Sequence, residues 1–338
     1  MSSSHQTGKT GSILGVIFAA FVFLLPTPAG SKETDGPTAI RFFSRDVSRL
    51  KKENLWNFQA PGLEPIAEYG SFFGLKITLK LQGGWNTFPG GEVENGILGL
   101  YDNAAAAISS SGTSIVENVR ESSHSGIEAS GDLIYSLTPR FGIGIGAARI
   151  NAGKRSQLVF LDAESWPQVL RIDPEIKVSA FRAGLFYSLP FAGLLAISVH
   201  GGPALYSAEY SFSMGGSASF LRQGLVHTGY FQKATAKQIG FEGALGFEFN
   251  ANRFVCIFVE VQGRYAKIDD LEGDERAEFI QDNRLQSSAE AGPVYFLNAG
   301  AYPELDIIPS GGAVPGSAHQ ATLDFSGVSI LAGLKLRL

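Results

Sequence analysis

Residues 75–82 read Leu-Lys-Ile-Thr-Leu-Lys-Leu-Gln. Leu75, Ile77, Leu79 and Leu81 fall on one side of an extended chain; Lys76, Thr78, Lys80 and Gln82 fall on the other. A period of two belongs to a strand with one apolar and one polar face. The pattern returns seven times. Ile127 to Tyr135 alternate with Glu128, Ser130 and Asp132, and Phe141 to Ala147 alternate with Gly142, Gly144 and Gly146. Phe181, Ala183, Leu185 and Tyr187 alternate with Arg182, Gly184 and Ser188; parity is lost around Ser179 to Phe181, which admits a bulge there. Leu195 to Val199 alternate with Ala196, Ser198 and His200, and Ile239 to Phe249 with Gln238, Glu242 and Glu248. Val255 to Tyr265 alternate with Glu260, Gln262 and Arg264, and Val328 to Leu338 with Ser329, Gly333, Lys335 and Arg337.

The connections alternate in length. Thr138-Pro139-Arg140, residues 189–193 and Asn250-Ala251-Asn252 are short, whereas 85–124, 151–174, 206–235 and 267–324 are long. Short turns on one side and long loops on the other fit a transmembrane barrel, and an even strand count puts both chain ends of the barrel on one side. The expectation is an all-β fold: an eight-stranded antiparallel up-and-down transmembrane β-barrel over 73–338. A short helix is expected in the first extracellular loop, from GEVENGILGLYDNAAAAISSSG.

A charge on the lipid face costs a few kcal/mol near the bilayer midplane. The polar face therefore looks inward. It carries Lys76, Lys80, Arg182, Arg264, Lys335 and Arg337 against Glu128, Asp132, Glu242, Glu248 and Glu260. Near-balance implies an ion-paired interior, because unpaired buried charges are costly. Eight strands leave room only for side chains or one small ligand. At the seam between the first and last strands, Lys76, Lys80, Lys335 and Arg337 call for neutralisation by Glu128, Asp132 and Glu260. The inward glycines make room for the long cations.

Upstream, Lys9 precedes the apolar run Ile13 to Leu25, then Pro26 and small residues. That run is short for a helical span and has the form of a signal peptide. The expected division is a signal peptide at 1–29, a periplasmic tail at 30–72 and the barrel at 73–338. Only 17% of residues are charged, below the roughly 25% of soluble domains. The net charge of −5 argues against a nucleic-acid partner. Cys256 has no cysteine to pair with in the chain and reads as a packed small side chain. No metal-ligand spacing or phosphate loop is visible, so no cofactor and no metal are expected. The acidic run Asp269, Asp270, Glu272, Asp274 and Glu275 reads as a solvated loop.

Residues 73–338 resemble the small eight-stranded outer-membrane barrels of Gram-negative bacteria (the OmpX, OmpA-barrel and OmpW types). The most specific piece is Gly333-Leu334-Lys335-Leu336-Arg337-Leu338. It resembles the signal read by the barrel assembly machinery, in Gly333, Leu334, Leu336 and Leu338; Leu338 stands where that signal usually has Phe. The resemblance implies the cell outer membrane, with outer-membrane lipid and the assembly machinery as partners and a monomeric state. It also brings in two lipid A-modifying barrel enzyme families, which use Ser, His and an acidic residue. Here Ser198, His200 and Glu242 are the conceivable set, and an inward histidine in a polar core is the plainer reading. A structural or surface-interaction barrel, not an enzyme, is therefore the expected function. A narrow barrel binding or transporting small apolar solutes is the second reading.

Overall fold

The computed structural model describes residues 76–161, 165–216, 226–281, 284–298 and 301–338. The signal peptide and periplasmic tail expected from the sequence lie outside the described residues. Eight strands close a ring: β1 (Ile77–Thr87), β3 (Ser125–Ser136), β4 (Phe141–Gly153), β6 (Pro167–Ala192), β7 (Leu195–Gly216), β8 (Val226–Asn250), β9 (Val255–Tyr265) and β16 (Gly327–Arg337). Every neighbouring pair is antiparallel, and β16 closes on β1 with Leu81 opposite Leu334. Closure leaves no open edge, which a bilayer requires because nothing there can satisfy free backbone groups.

Local chemistry sets the short turns. The Thr138 hydroxyl accepts from the amides of Arg140 and Phe141, at 3.3 and 3.0 Å. Asn252 Oδ1 accepts from Phe254 and Val255, both at 2.8 Å. Gly193 turns β6 into β7 at φ 52°, a left-handed conformation that glycine adopts without strain.

On the opposite side the long loops are largely sheet. Strands β6, β7 and β8 run 26, 22 and 25 residues, well beyond the barrel rim. β5 (Ser156–Leu161) pairs with upper β6, and β2 (Ile115–Val119) pairs with β5. β11 (Glu272–Gln281) pairs with upper β8 and continues into β12 (Arg284–Leu297). β13 (Glu304–Ile307) and β14 (Ala318–Gln320) add to β12, while β10 (Lys267–Ile268) pairs with β15 (Leu323–Asp324). Of the acidic run, Asp269 and Asp270 are exposed in the connection between β10 and β11, while Glu272, Asp274 and Glu275 lie on β11.

Strand β6 shows why its sequence loses parity. Its inward residues are even-numbered throughout: Ile172, Ile176, Val178 and Ala180 above, then Arg182, all buried. Its outward residues are Arg171, Asp173, Glu175, Lys177 and Ser179, then Phe181, Leu185, Tyr187 and Leu189. Pairing with β4 and β7 runs through this point without a shift, from Arg149–Ser179–Ser207 to Ala147–Phe181–Leu205. There is no bulge at Ser179 to Phe181. The strand keeps its geometry and its surroundings reverse: apolar outside and polar inside below, polar outside and apolar inside above. The same reversal falls between Ser207 and Leu205 on β7 and between Lys237 and Ile239 on β8. Gln238, assigned to the inward face of β8 by sequence, is exposed at this border.

Below the border the outer wall is an apolar belt. Ile145, Phe181, Ile239 and Phe241 are each more than 60% exposed, which water would not tolerate over so wide a band. From Ile239 to Phe249 the belt spans ten residue steps on β8. At about 3.3 Å per residue and a tilt of roughly 40°, that rises about 25 Å, the height of a bilayer-facing band.

Above the barrel the cap has its own apolar core. Helix α1 (Gly91–Ser110) follows β1 and buries Val93, Ile97 and Tyr101, four residues apart and so on one face. Glu92 and Glu94 occupy its first turn, where the helix dipole favours acids. The face belongs to one buried apolar cluster that also holds Phe88, Ile150, Leu158, Ile176, Tyr210 and Leu323. Each fully buried large side chain contributes about 1.5–3 kcal/mol. Gly99 permits the close approach: a Cβ there would lie 1.7 Å from the Pro303 carbonyl oxygen. The Tyr101 hydroxyl donates to Asn118 Oδ1 at 2.5 Å and lies 3.1 Å from the Gln157 carbonyl oxygen, tying the helix to the β2–β5 edge. Glu92 accepts from the Thr322 amide at 3.0 Å and hydroxyl at 3.2 Å. Burial pushes the Glu94 carboxyl above its ordinary range, opposed by His124 at 3.0 Å. The helix expected in the first long loop is thus the centre of the cap.

Candidate functional site: the barrel interior

Alternation turns Lys80, Asp132, Arg182, His200, Glu242, Glu248, Glu260, Arg264 and Lys335 into the lumen, and each is buried. In the middle, Lys80 Nζ donates to both Glu260 carboxylate oxygens, at 2.9 and 2.8 Å. It lies 3.0 Å from His200 Nε2 and 3.7 Å from Asp132. His200 Nε2 is 3.3 Å from Glu260, and its ring stacks on Phe186 at 4.9 Å. Arg182 meets Asp132 with two parallel bonds, 2.6 and 2.9 Å, and Glu242 at 3.1 Å with its third nitrogen. Gly146, in register with both Asp132 and Arg182, makes this fit possible: a Cβ there would sit 2.0 Å from Asp132 Oδ1 and 2.9 Å from Arg182 Nε.

Towards the cap, Arg264 contacts Glu128 at 3.3 Å and donates to Ser329 at 2.7 Å. It also donates to the Phe325 and Thr87 carbonyls, at 3.1 and 3.3 Å, and lies 4.4 Å over the Phe325 ring. This residue joins the charged lumen to the apolar cap. The Tyr206 hydroxyl and the Gln262 amide both donate to Glu242, at 3.4 and 3.1 Å. Towards the short turns, Lys335 pairs with Glu248, and Arg337 donates to Asn250 at 2.5 Å.

The structure rearranges parts of the pattern expected from sequence. Lys76 is exposed and is not part of the buried set: it precedes β1 at the rim, where its carbonyl accepts from the Ser136 amide at 2.7 Å. Arg337 is half-buried and reaches an amide. The buried set is therefore four cations, Lys80, Arg182, Arg264 and Lys335, and five carboxylates, with His200 between Lys80 and Glu260. At the seam, Glu260 and Asp132 meet Lys80, while Glu128 goes to Arg264 and Lys335 takes Glu248. Glu242 lies with Arg182 and is not the acidic neighbour of His200, so Ser198, His200 and Glu242 do not assemble a triad. Gly333 faces inward, where a Cβ would lie 2.0 Å from the Leu81 carbonyl oxygen, while Leu334 and Leu338 point out and are exposed. The β1–β16 seam thus needs the glycine for close strand contact.

Sequence reading missed the aromatic part of the lumen. Lys80 lies 5.0 Å and Lys335 5.4 Å from the Phe258 ring centre, within cation–π range. Strand parity already places Phe186 and Phe258 inward; a search restricted to charges overlooks them.

No protein-family model and no curated protein matches the chain. Among solved structures, the outer membrane protein OprG from Pseudomonas aeruginosa matches at 12% identity and a TM-score of 0.29, covering 80% of this chain and 98% of that one. CarO2 from Acinetobacter baumannii matches at 12% identity and 0.28, covering 78% and 99%. The outer membrane protease OmpT from Escherichia coli matches at 12% identity and 0.26, covering 78% and 97%. The closed ring, the exposed apolar belt and the charged lumen are features of this chain's own geometry. They make it a small closed β-barrel with a lipid-facing outer wall.

Proposed function

We propose that the protein is a closed outer-membrane barrel whose cap presents an interaction surface to the outside, and that it is not a channel. One observation carries the reading: the lumen is filled twice over. The ion pairs around Lys80, Arg182 and Arg264 fill the membrane level, and the α1-centred apolar core fills the level above. An ion crossing would have to break buried pairs and pass a dry core. Refolded protein in planar bilayers is therefore expected to give no steady single-channel openings. Regular openings of fixed size would defeat the reading.

One feature favours the second reading, a route for small apolar solutes. An apolar groove crosses the outer wall at Ala183, Leu185, Gly201 and Pro203. The inward residues behind it include Arg182 and His200, both buried and charged or polar. An apolar solute has no matching chamber there, which weighs for the closed barrel. The lipid A-modifying alternative needs a reachable histidine. His200 is only 6% exposed and is engaged with Lys80 and Glu260, which weighs against a glycolipid reaching it.

A further inference from the structure

We infer that the β3–β8 side of the outer wall carries a docking site for a phosphorylated, acylated glycolipid of the outer leaflet. The inference rests on the membrane placement of the barrel, and not on whether its lumen is closed.

Two observations coincide on the same strands. The first is the groove, about 670 Å³ and almost wholly apolar, lined among others by Tyr135, Ile145, Ala183, Leu185, Gly201 and Pro203. It exists because β6 and β7 have few side chains there and sit close together. A Cβ on Gly202 would lie 2.0 Å from the Ala183 carbonyl oxygen. Pairing passes from Arg182–Ala204 directly to Leu185–Gly201, and Pro203 between them has no amide to donate. The result is a recess in the belt, on the face that meets acyl chains.

The second is a cationic row along the top of that belt. Arg149, Ser179, Ser207 and Lys237 are successive register partners on β4, β6, β7 and β8. At about 4.8 Å per strand, the two cations stand about 14 Å apart along the wall, with two hydroxyl side chains between them. Arg149 donates to Ser179 at 2.6 Å. Among the described residues, neither Arg149 nor Lys237 has a carboxylate within ion-pair distance, and both are exposed. Higher up the wall, Lys177 pairs with Glu175 at 2.6 Å, and Lys233 with Glu209 at 3.0 Å. On the adjoining strands β1 and β3, Thr87 and Ser125 end the belt as a register pair without charge.

The uppermost groove residues, Ile145, Ala183 and Pro203, lie four positions below Arg149, Ser179 and Ser207 on the same strands, and the groove runs on past Ile143 to Tyr135 and Ile77 near the short turns. Four positions are about 13 Å along the wall. A ligand fitting both must carry anionic groups at the interface and hydrocarbon directly beneath. Charge complementarity selects phosphates, which arginine binds through its planar fork and lysine as a point charge. The separation of the cations suits a headgroup with two phosphates.

The test uses the full chain, refolded in micelles and checked for folding by heat-modifiable gel migration. Its probe is bisphosphorylated hexa-acyl lipid A, with binding read by native mass spectrometry. Arg149→Ala with Lys237→Ala is expected to weaken binding about twenty-five-fold, each cation at an anionic lipid surface being worth roughly a factor of five. Lys177→Ala with Lys233→Ala should stay within about twofold. Ala183→Phe, which fills the groove and leaves the cations, should also weaken binding, and inorganic phosphate should not displace the lipid. Equal binding by the Arg149/Lys237 variant overturns the proposal, as does equal weakening by the control pair. Free displacement by inorganic phosphate, or no effect of Ala183→Phe, removes the acyl groove from it. If the wild-type chain is not heat-modifiable, the barrel reading fails first; if it is and does not bind, only this inference fails.

Discussion

Replacing Glu260 with alanine is expected to destabilise the barrel by about 3–5 kcal/mol, the usual cost of removing one partner of a buried ion pair. Lys80 has no exposed side-chain surface and gives both its short ionic contacts to Glu260. Its other carboxylate, Asp132, is 3.7 Å away and already bound by two bonds to Arg182. Without Glu260, the ammonium faces His200 and the rings of Phe186 and Phe258. None of these carries a compensating negative charge. Urea unfolding of refolded protein, followed by tryptophan fluorescence, should show a markedly lower midpoint. Lys80→Met combined with Glu260→Met should recover much of the loss, because it removes both charges and keeps volume in the lumen. A Glu260→Ala midpoint within experimental error of wild type would mean that the lumen is hydrated enough to solvate a free lysine.

The second large effect concerns the belt. Leu245 stands near the middle of the lipid-facing part of β8, in register with Val199 and Val261, and is 51% exposed. Leu245→Arg is expected to cost about 2–4 kcal/mol in a bilayer, the price of arginine near the midplane. Thr235→Arg lies on the same strand and the same outward face, but two positions above the Lys237 border. It should change stability by no more than about 0.5 kcal/mol, as for an ordinary surface site. Unfolding from lipid vesicles compares the two directly. Equal costs would show that the outer face meets one solvent along its whole length.

The membrane half of the fold was legible because each strand shows one solvent change, lipid outside and charge inside. Leu75 to Gln82 and Val328 to Leu338 carry that alternation without interruption. The upper half was illegible for a physical reason. On β6, Ile176 and Val178 face inward while Phe181 and Leu185 face outward, so the apolar parity flips although the strand does not. From sequence this looks like an irregularity followed by a loop. The lumen was partly legible: parity placed Lys80, Asp132, Arg182, Glu260 and Arg264 on one face of their strands. Parity cannot choose partners across a lumen. Lys80 and Glu260 lie 180 positions apart on β1 and β9, separated by β16: strand order put Glu260 among the acids neutralising the seam, but no register rule decides which cation it takes. Lys76 was misjudged for the complementary reason, since alternation continues to the rim, where the side chain is exposed and no longer buried by the lumen.

The most direct measurement is an accessibility scan along β6. Single cysteines at positions 171 to 189, in a Cys256→Ser background, would carry a fluorophore in vesicle-embedded protein. Brominated acyl chains and aqueous iodide would serve as the two quenchers. Odd positions from Arg171 to Ser179 should be quenched by iodide and odd positions from Phe181 to Leu189 by brominated lipid. The change should fall between Ser179 and Phe181, and buried even positions such as 176, 178 and 182 should be protected from both. Iodide quenching along the entire outward face would contradict the account, because the strand would then stand in water throughout and the apolar belt would not be a membrane surface.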